Sequence, residues 1–254
     1  MRELLEQLQA LPPEFIWISL LLTAFAVILA LHRWFGPAGL YVYMAVAIIG
    51  GNLHVLKLTQ FSVFPDPVAL GTILFSTTFL CTDILTEYHG AAAARKGVIL
   101  GFVGLVLFDL FLFAAIAFRP LDPSEGELGA SAAAMQNHLE AIFLPAPGIL
   151  IASLAAYLIS QFNDIWVFSR LRTVTKGKHL WLRNNLSTWF SALVDSIVFS
   201  VLAFVVFAPE PVSWKPLIFT YILGTYGLRV LVAVLDSPVV YLARPKQAPT
   251  QISS

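Results

Sequence analysis

Charge is scarce in this chain, and cysteine is almost absent. Only 12% of the 254 residues are Asp, Glu, Lys or Arg, which is about half the share found in a soluble domain. The single cysteine, Cys81, excludes an intrachain disulfide and a cysteine zinc site. Basic and acidic residues balance to a net charge of zero, so the charge gives no indication of a nucleic-acid partner.

Long apolar runs dominate the sequence instead. Hydrophobic residues make up 58% of the chain, and the mean hydropathy is +0.81. The runs are about 20 residues long, the length of a helix that crosses a bilayer, and they lack the alternation of a membrane β-barrel. We therefore predict an all-α integral membrane protein, embedded in the lipid bilayer, with about seven transmembrane helices at 15–34, 39–58, 68–89, 97–118, 148–169, 186–208 and 216–242.

This division predicts three regions. Residues 1–37 form an N-terminal tail and a helix that we expect at the periphery, 38–243 form a six-helix domain, and 244–254 form a C-terminal tail. The first residues lack the positively charged region of a signal peptide, so the first apolar run is expected to stay in the protein.

The lysines and arginines of the connections predict an orientation. Ten of them follow the odd-numbered spans and four lie on the opposite side, together with nine acidic residues that include Asp66. Because cytoplasmic loops carry the excess of Lys and Arg, we predict that the N-terminus lies outside and the C-terminus in the cytoplasm. The ten cations are Arg33, Arg95, Lys96, Arg170, Arg172, Lys176, Lys178, Arg183, Arg244 and Lys246.

Six acidic residues lie within the predicted spans or at their ends, with a single cation. A charged group at the centre of a membrane helix costs roughly 2.5–3.5 kcal/mol on insertion scales. Such groups must therefore face the interior of the bundle, pair, hold a proton or line a wet cavity. The acids are Asp83, Glu87, Asp109, Asp164, Asp195 and Asp236, and the cation is Arg229.

Helical spacing gathers the polar residues into stripes. Residues three, four or seven apart share one face of a helix, and several helices each carry such a set. The pattern predicts one polar cavity in a helical bundle, with structural hydrogen bonding as the alternative for each residue. The sets are Asp83 with Glu87, Gln161 with Asp164, Ser187 with Ser191 and Asp195, and Arg229 with Asp236; Asn52 adjoins paired glycines that allow close approach.

Three of the acids have simpler explanations. Glu87 is expected at a solvated helix end or, at most, at the mouth of the cavity. Asp109 stands alone in "LVLFDLFLF", where structural pairing or a proton explains it as well as a ligand does. Asp236 is the first candidate to neutralise Arg229.

Enzyme motifs are missing from the chain. The sequence contains no HExxH, no GxSxG and no P-loop. We therefore expect no catalysis, no cofactor and no metal site. Scattered membrane carboxylates without a catalytic motif favour a transport function.

Two sequence blocks resemble the queuosine precursor transporter family, which is grouped with vitamin uptake transporters. They are "STTFLCTDILTEYHGAAAARKGVILGF" at 76–102 and "SQFNDIWVFSRLRTVTKGKHLWLRNNLSTWFSALVDSIVF" at 160–199. Asn52 and "YGLRVLVAVLDSPVVY" at 226–241 agree with it. The resemblance extends from about residue 38 to residue 243, in the order that the family keeps.

The resemblance implies import of a queuosine precursor, a 7-deazaguanine type of base, across a bacterial inner membrane. It also implies a six-helix core similar to the substrate-binding subunits of energy-coupling-factor transporters. The family's motif positions correspond to Asn52, Asp83, Gln161, Asp164, Ser187, Asp195 and Arg229. A carboxylate suits the adjacent N1–H and amine of such a purine-like base, and Phe162, Trp166 or Trp189 are expected to stack on its ring.

Other functions stay open at this stage. The chain would also suit a substrate-binding subunit that needs a separate ATPase module, or a proton-coupled carrier of another small solute. An intramembrane enzyme is disfavoured by the missing motifs. The sequence leaves open the particular precursor, the energy coupling and the oligomeric state.

Overall fold

Helices account for most of the structure, a computed structural model that describes residues 2–62, 68–144 and 147–245. The predicted outer acid Asp66, the tail cation Lys246 and most of the predicted tail lie outside the described residues. The helices are α1 (Arg2–Gln9), α2 (Pro13–Phe35), α3 (Pro37–Val55), α4 (Thr72–His89), α5 (Ala91–Ala117), α6 (Gly126–Phe143), α7 (Pro147–Val174), α8 (Leu180–Val201), α9 (Trp214–Pro216) and α10 (Gly224–Leu242).

Short irregular elements complete the chain. A π-helical segment, Leu202–Val206, extends α8, and a second one, Leu217–Leu223, joins α9 to α10. The strands β1 (Leu58–Thr59) and β2 (Val68–Ala69) pair antiparallel, with Thr59 opposite Val68.

Proline and glycine determine where the first helices meet. Pro13 and Pro37 lie in the first turn of α2 and α3, where the missing N–H has no helical partner in any case. Gly36, between these helices, has φ +59°, and Gly90, between α4 and α5, has φ +86°. Glycine favours this left-handed region, so each tight reversal occurs where a glycine permits it.

Six helices within the described residues are long and apolar enough to cross a membrane, which confirms the all-α membrane class. They correspond to six of the seven predicted spans. The other one, α4, runs between the same two ends of the bundle but is rich in threonine and carries two carboxylates. The count of seven crossings, the separate N-terminal region and the resemblance to energy-coupling-factor subunits stay predictions.

Helix α4 lies at the centre of the bundle. It packs against α2, α3, α5, α7, α8 and α10, and every residue from 76 to 86 is buried. Three of its hydroxyls find acceptors within the helix, since Thr77, Thr78 and Thr82 donate to carbonyl oxygens three residues earlier at 2.6–2.9 Å. A polar helix is therefore buried without leaving these donors unsatisfied.

Glycines allow α3 to approach the start of α4 closely, as the sequence predicts. A Cβ on Gly71 would lie 2.4 Å from a methyl carbon of Val55 and 2.7 Å from the carbonyl oxygen of Gly51. A Cβ on Gly51 would lie 3.1 Å from the ring of Phe75. This contact brings Asn52 next to the polar face of the bundle.

One end of the bundle is joined by a buried ion pair. Glu87, at the end of α4, accepts hydrogen bonds from Arg183 through both oxygens, at 2.6 and 3.2 Å. Arg183 is 1% exposed, and it also donates to the carbonyl oxygens of Gly177 and Lys178 at 3.1 and 2.8 Å. Glu87 is thus a paired structural carboxylate, and the expectation of a merely solvated helix end is wrong.

We predict that Arg183→Lys lowers the free energy of unfolding by about 1.5–3 kcal/mol, the usual contribution of hydrogen bonds to a charged group. A lysine cannot contact both carboxylate oxygens and both carbonyls at once. Thermal unfolding of the purified protein in detergent measures the effect. The matched control is Arg172→Lys, because Arg172 approaches the same carboxylate at 3.7 Å from an exposed position and is expected to contribute little. Equal effects of the two substitutions would contradict the structural role of Arg183.

Candidate functional site

A cavity of about 390 Å³ lies where α3 ends and α4 and α7 begin. Its volume is in the range of small-molecule sites. Residues from α3, α4, α5, α6, α7, α8 and α10 line it, so it occupies the centre of the bundle at that end. Of the residues predicted from sequence, Asn52, Asp195 and Arg229 are part of its lining.

An ion pair between α8 and α10 forms one side of the cavity. Arg229 donates through Nη1 to Asp195 Oδ2, and Ser160 donates to Asp195 Oδ1 at 2.9 Å. The Nε–H of Arg229 is buried and has no hydrogen-bond acceptor among the described residues. The pair therefore neutralises both charges and leaves the enclosed Nε–H without a partner among the described residues.

The predicted pairing of Arg229 with Asp236 is wrong. Asp236 Oδ1 instead accepts a hydrogen bond from Asn184 at 2.8 Å. Seven residues of helix separate Arg229 from Asp236 by about 10 Å along the axis. Helices α8 and α10 run antiparallel, so the two residues face different levels of α8: Asp195 for Arg229, and Asn184 for Asp236.

Asn52 is held by two neighbours at the cavity wall. Its Nδ2 donates to the carbonyl oxygen of Ile48 at 2.9 Å, and its Oδ1 accepts from Ser153 on α7 at 2.8 Å. These bonds fix the amide plane. The second N–H of the amide is then available to a ligand.

Aromatic rings form much of the remaining wall. Phe204 and Tyr221 lie with their ring centroids 4.3 Å apart and their planes tilted by 36°. Phe75, Phe108 and Phe199 also line the cavity. Sequence reasoning did not single these rings out, because aromatic residues occur throughout the apolar runs and nothing in the spacing separates lining rings from lipid-facing ones.

The rings that were predicted to stack lie elsewhere. Trp166 is 56% exposed and its ring lies 5.8 Å from the guanidinium of Arg170. Phe162 is 38% exposed, and Trp189 is half-buried outside the cavity lining. The position of Trp166 on the outer surface argues against its predicted role in the site.

The other predicted residues form a second, fully buried cluster beside the cavity. Gln161 donates to Thr78 at 2.6 Å, while Thr82 donates to Asp164 at 3.0 Å and approaches Gln161 Oε1 at 3.3 Å. Ser187 is buried at the same place on α8. The predicted set therefore divides into three cavity residues and four residues of a packed network: Asp83, Gln161, Asp164 and Ser187.

Two carboxyl groups of this network contact each other. Asp83 on α4 lies within hydrogen-bonding range of Asp164 on α7, and Thr188 donates to Asp83 at 3.3 Å. A hydrogen bond between two carboxyl groups requires a proton on one of them. Among the described residues no cation pairs with either group, so the proton takes the place of a counter-ion.

Comparison with known proteins supplies the family. Residues 69–243 match the family described as "Putative vitamin uptake transporter". The chain belongs to this family. It is therefore a multi-pass membrane transporter, as its helices and polar interior indicate, and not an enzyme.

Curated relatives agree with the match. A protein of Bacillus subtilis named "Probable queuosine precursor transporter" is 32% identical over 90% of this chain and 93% of its own length. A "Probable queuosine precursor transporter" of Haemophilus influenzae is 30% identical over 53% of this chain and 51% of its own. The "Queuosine precursor transporter" of Escherichia coli is 27% identical over 53% and 54%. No solved structure matches the chain.

We predict that Asp195→Ala reduces the yield of folded protein. It leaves the buried guanidinium of Arg229 without a counter-ion, and breaking such a pair typically costs about 3–5 kcal/mol. The double substitution of Arg229 and Asp195 by alanine is expected to recover part of the loss. Size-exclusion chromatography in detergent measures the folded fraction.

The control for this pair is the double substitution of Arg229 and Asp236 by alanine. Asp236 does not pair with Arg229, so this double substitution is expected to give no more folded protein than Arg229→Ala alone. The ion pair described here would be contradicted if the folded fraction recovered when Arg229 and Asp236 are both replaced by alanine, and did not recover when Arg229 and Asp195 are both replaced.

Proposed function

We propose that this transporter imports a queuosine precursor of the 7-deazaguanine type across a bacterial inner membrane. The observation that carries the proposal is a small cavity with aromatic walls and an Asp195–Arg229 pair, in a chain that is 32% identical to a relative of that name over nearly its whole length. Flat walls suit a bicyclic base, because base–aromatic stacking contributes roughly 1–3 kcal/mol per base.

The polar groups of the cavity complement the edges of such a base. A 7-deazaguanine presents a carbonyl oxygen beside two donors, the N1–H and the exocyclic amine. The guanidinium of Arg229 suits the carbonyl oxygen, and the free lone pairs of Asp195 suit the two donors. Asn52 supplies a further amide at the wall. We propose that these three residues bind the base, and that the buried network beside the cavity supports their position.

The location of the cavity fits import. It lies at the end of the bundle that carries four cations and most of the acids, and this charge distribution supports an outside location for that end. The opposite end holds Arg33, Arg95, Lys96 and the cationic α7–α8 connection. The proposed orientation therefore has the cavity facing the side from which a precursor enters, the N-terminus outside and the C-terminus in the cytoplasm.

Cysteine labelling tests this orientation. Glu127→Cys and Lys178→Cys place thiols at exposed positions on opposite ends of the bundle. We expect a membrane-impermeant maleimide to label position 127 in intact cells and to label position 178 only after permeabilisation. The wild type serves as the control, because Cys81 is buried. The reverse labelling pattern would place the cavity on the cytoplasmic side, and it would contradict the proposal that the precursor enters the protein from outside through this cavity.

Rescue of queuosine in tRNA tests the function. In cells that neither make nor otherwise import the precursor, the wild type should restore queuosine-modified tRNA when the base is supplied outside. Compared at equal amounts of folded protein, Asp195→Asn should weaken transport about 5- to 150-fold, because one ligand donor loses its acceptor, a loss of about 1–3 kcal/mol. The control is Asp122→Asn, an exposed acid in the α5–α6 connection. If the wild-type transporter does not restore queuosine-modified tRNA in these cells, the proposed substrate is refuted.

A further inference from the structure

Two carboxyl groups in the network beside the cavity are buried without a counter-ion. Asp83 and Asp164 are each 0% exposed. One oxygen of each group has a donor, because Thr188 donates to Asp83 Oδ2 at 3.3 Å and Thr82 donates to Asp164 Oδ2 at 3.0 Å. The other oxygen of each group, Oδ1, is buried and has no donor among the described residues. The two groups lie within hydrogen-bonding range of each other, so one proton on the pair supplies a donor that its neighbours lack.

The helices around the pair supply no positive charge that could replace this proton within the described residues. Asp236 on α10 is a third buried acid close to both groups. Arg183 forms its ion pair at the start of α8, and Arg229 forms its own at the cavity. Ionisation of both carboxyl groups would therefore place adjacent negative charges in an interior of low dielectric constant, which is costly.

The other ionisable groups buried on the neighbouring helices are uncharged or lie further away. Buried tyrosine hydroxyls and the buried thiol are neutral at pH 7, and the remaining two groups lie beside the end of α4 and at the cavity. These groups are Tyr43 on α3, Cys81 on α4, Tyr157 on α7, His32 on α2 and Asp109 on α5.

Hydroxyl groups lie between the pair and the cavity. Ser191 lies one turn from Asp195 on α8 and within hydrogen-bonding range of Asp164. Ser160, one turn from Asp164 on α7, donates to Asp195 at 2.9 Å. Because a hydroxyl both donates and accepts, these serines offer a short route for a proton from the cavity wall to the pair.

We propose that Asp83 and Asp164 bind one proton that crosses the membrane with each transported base, so that an inward proton gradient drives import. The inference rests on the proposed function, because it names the energy source of that transport. A carboxylate oxygen takes up the proton from the cavity side, and the carboxyl group releases it to water on the opposite side. No bond of the base changes.

The contacts of α4 explain why the base and the proton are released together. Asp83 lies on the same helix as Glu87 and Tyr88, whose contacts join the end of the bundle opposite the cavity. When these contacts separate to release the base, water reaches the faces of α4 and α7 that hold the pair. Carboxyl groups in water are ionised at neutral pH, so the proton leaves at that end.

Uptake into liposomes that contain only the purified protein tests the coupling. The interior is set about one pH unit above the exterior, the membrane potential is clamped at zero, and labelled 7-cyano-7-deazaguanine, an uncharged base of the proposed class, is supplied outside. One proton per base supports accumulation of up to about tenfold, because one pH unit is a tenfold difference in proton activity. We expect the wild type to accumulate the base several-fold, and a protonophore to reduce its concentration inside to equilibrium.

The variant Asp83→Asn separates coupling from structure. Its amide donates to Asp164 in place of the shared proton and keeps the net charge of the pair, but it has no proton to release. We expect this variant to equilibrate the base without accumulating it, while Asp122→Asn, which removes an exposed acid, accumulates the base like the wild type. A wild type that only equilibrates the base, or an Asp83→Asn variant that accumulates it equally, overturns the coupling while the transport function stands.

Chemical unfolding in detergent tests the proton without a substrate. The folded pair holds a proton that the hydrated carboxyl groups of the unfolded chain release above about pH 5, so the folded protein loses stability as the pH rises. Between about pH 6 and pH 8, the unfolding equilibrium constant should rise more steeply for the wild type and Asp122→Asn than for Asp83→Asn, by up to about tenfold per pH unit. Equal slopes overturn the proton site whether or not the base is carried. A wild type that carries no base overturns the proposed function itself.

Discussion

The free energy of an ionised group inside a helical bundle constrains the arrangement of this molecule. In an interior of low dielectric constant, an uncompensated charge is costly, and breaking a buried pair leaves such a charge behind. The two buried arginines are accordingly each held by a carboxylate: Arg183 by Glu87 at one end and Arg229 by Asp195 beside the cavity. These pairs tie α4 to the start of α8, and α8 to α10. Between them, hydroxyl and amide donors and a shared proton replace cations, which allows α4 to keep Asp83 in a fully buried position.

The antiparallel packing of α8 and α10 decides which partner each charge finds. Arg229, nearer the start of α10, meets Asp195, whereas Asp236 and Ser237, further along α10, meet Asn184 and Asn185 near the start of α8. This register places the ionic contact at the cavity and the neutral contacts further along the bundle. The Asp195–Arg229 pair therefore lines the cavity, whereas the carboxyl groups beyond it are enclosed by protein.

Much of this fold could be predicted from the sequence, and the limits have a physical origin. Apolar runs of bilayer length located the helices, and polar stripes showed that the acids face inwards, because both properties belong to a single helix. The paired glycines correctly indicated the close approach of α3. The partner of each charged residue could not be predicted from the sequence in the same way. Spacing placed Asp236 on the same face as Arg229, but only the register between α8 and α10 showed that Asp195 is the partner. Trp166 likewise shares its helix with Gln161 and Asp164, yet it faces outwards.

The two ends of the bundle differ in a way that bears on transport. One end contains the cavity, and its walls are mostly aliphatic side chains and aromatic rings. The other end is closed by directional contacts: the Glu87–Arg183 pair, the bond from Tyr88 to the carbonyl oxygen of Val240 at 2.8 Å, and the contact between the ring nitrogens of His32 and His89 at 2.9 Å. Release of a ligand at that end requires these contacts to separate together, because each joins a different pair of chain segments around α4. Helix α4 takes part in all of them and also lines the cavity through Thr72 and Phe75. Helix α4 therefore connects the wall of the cavity with the contacts that close the opposite end of the bundle.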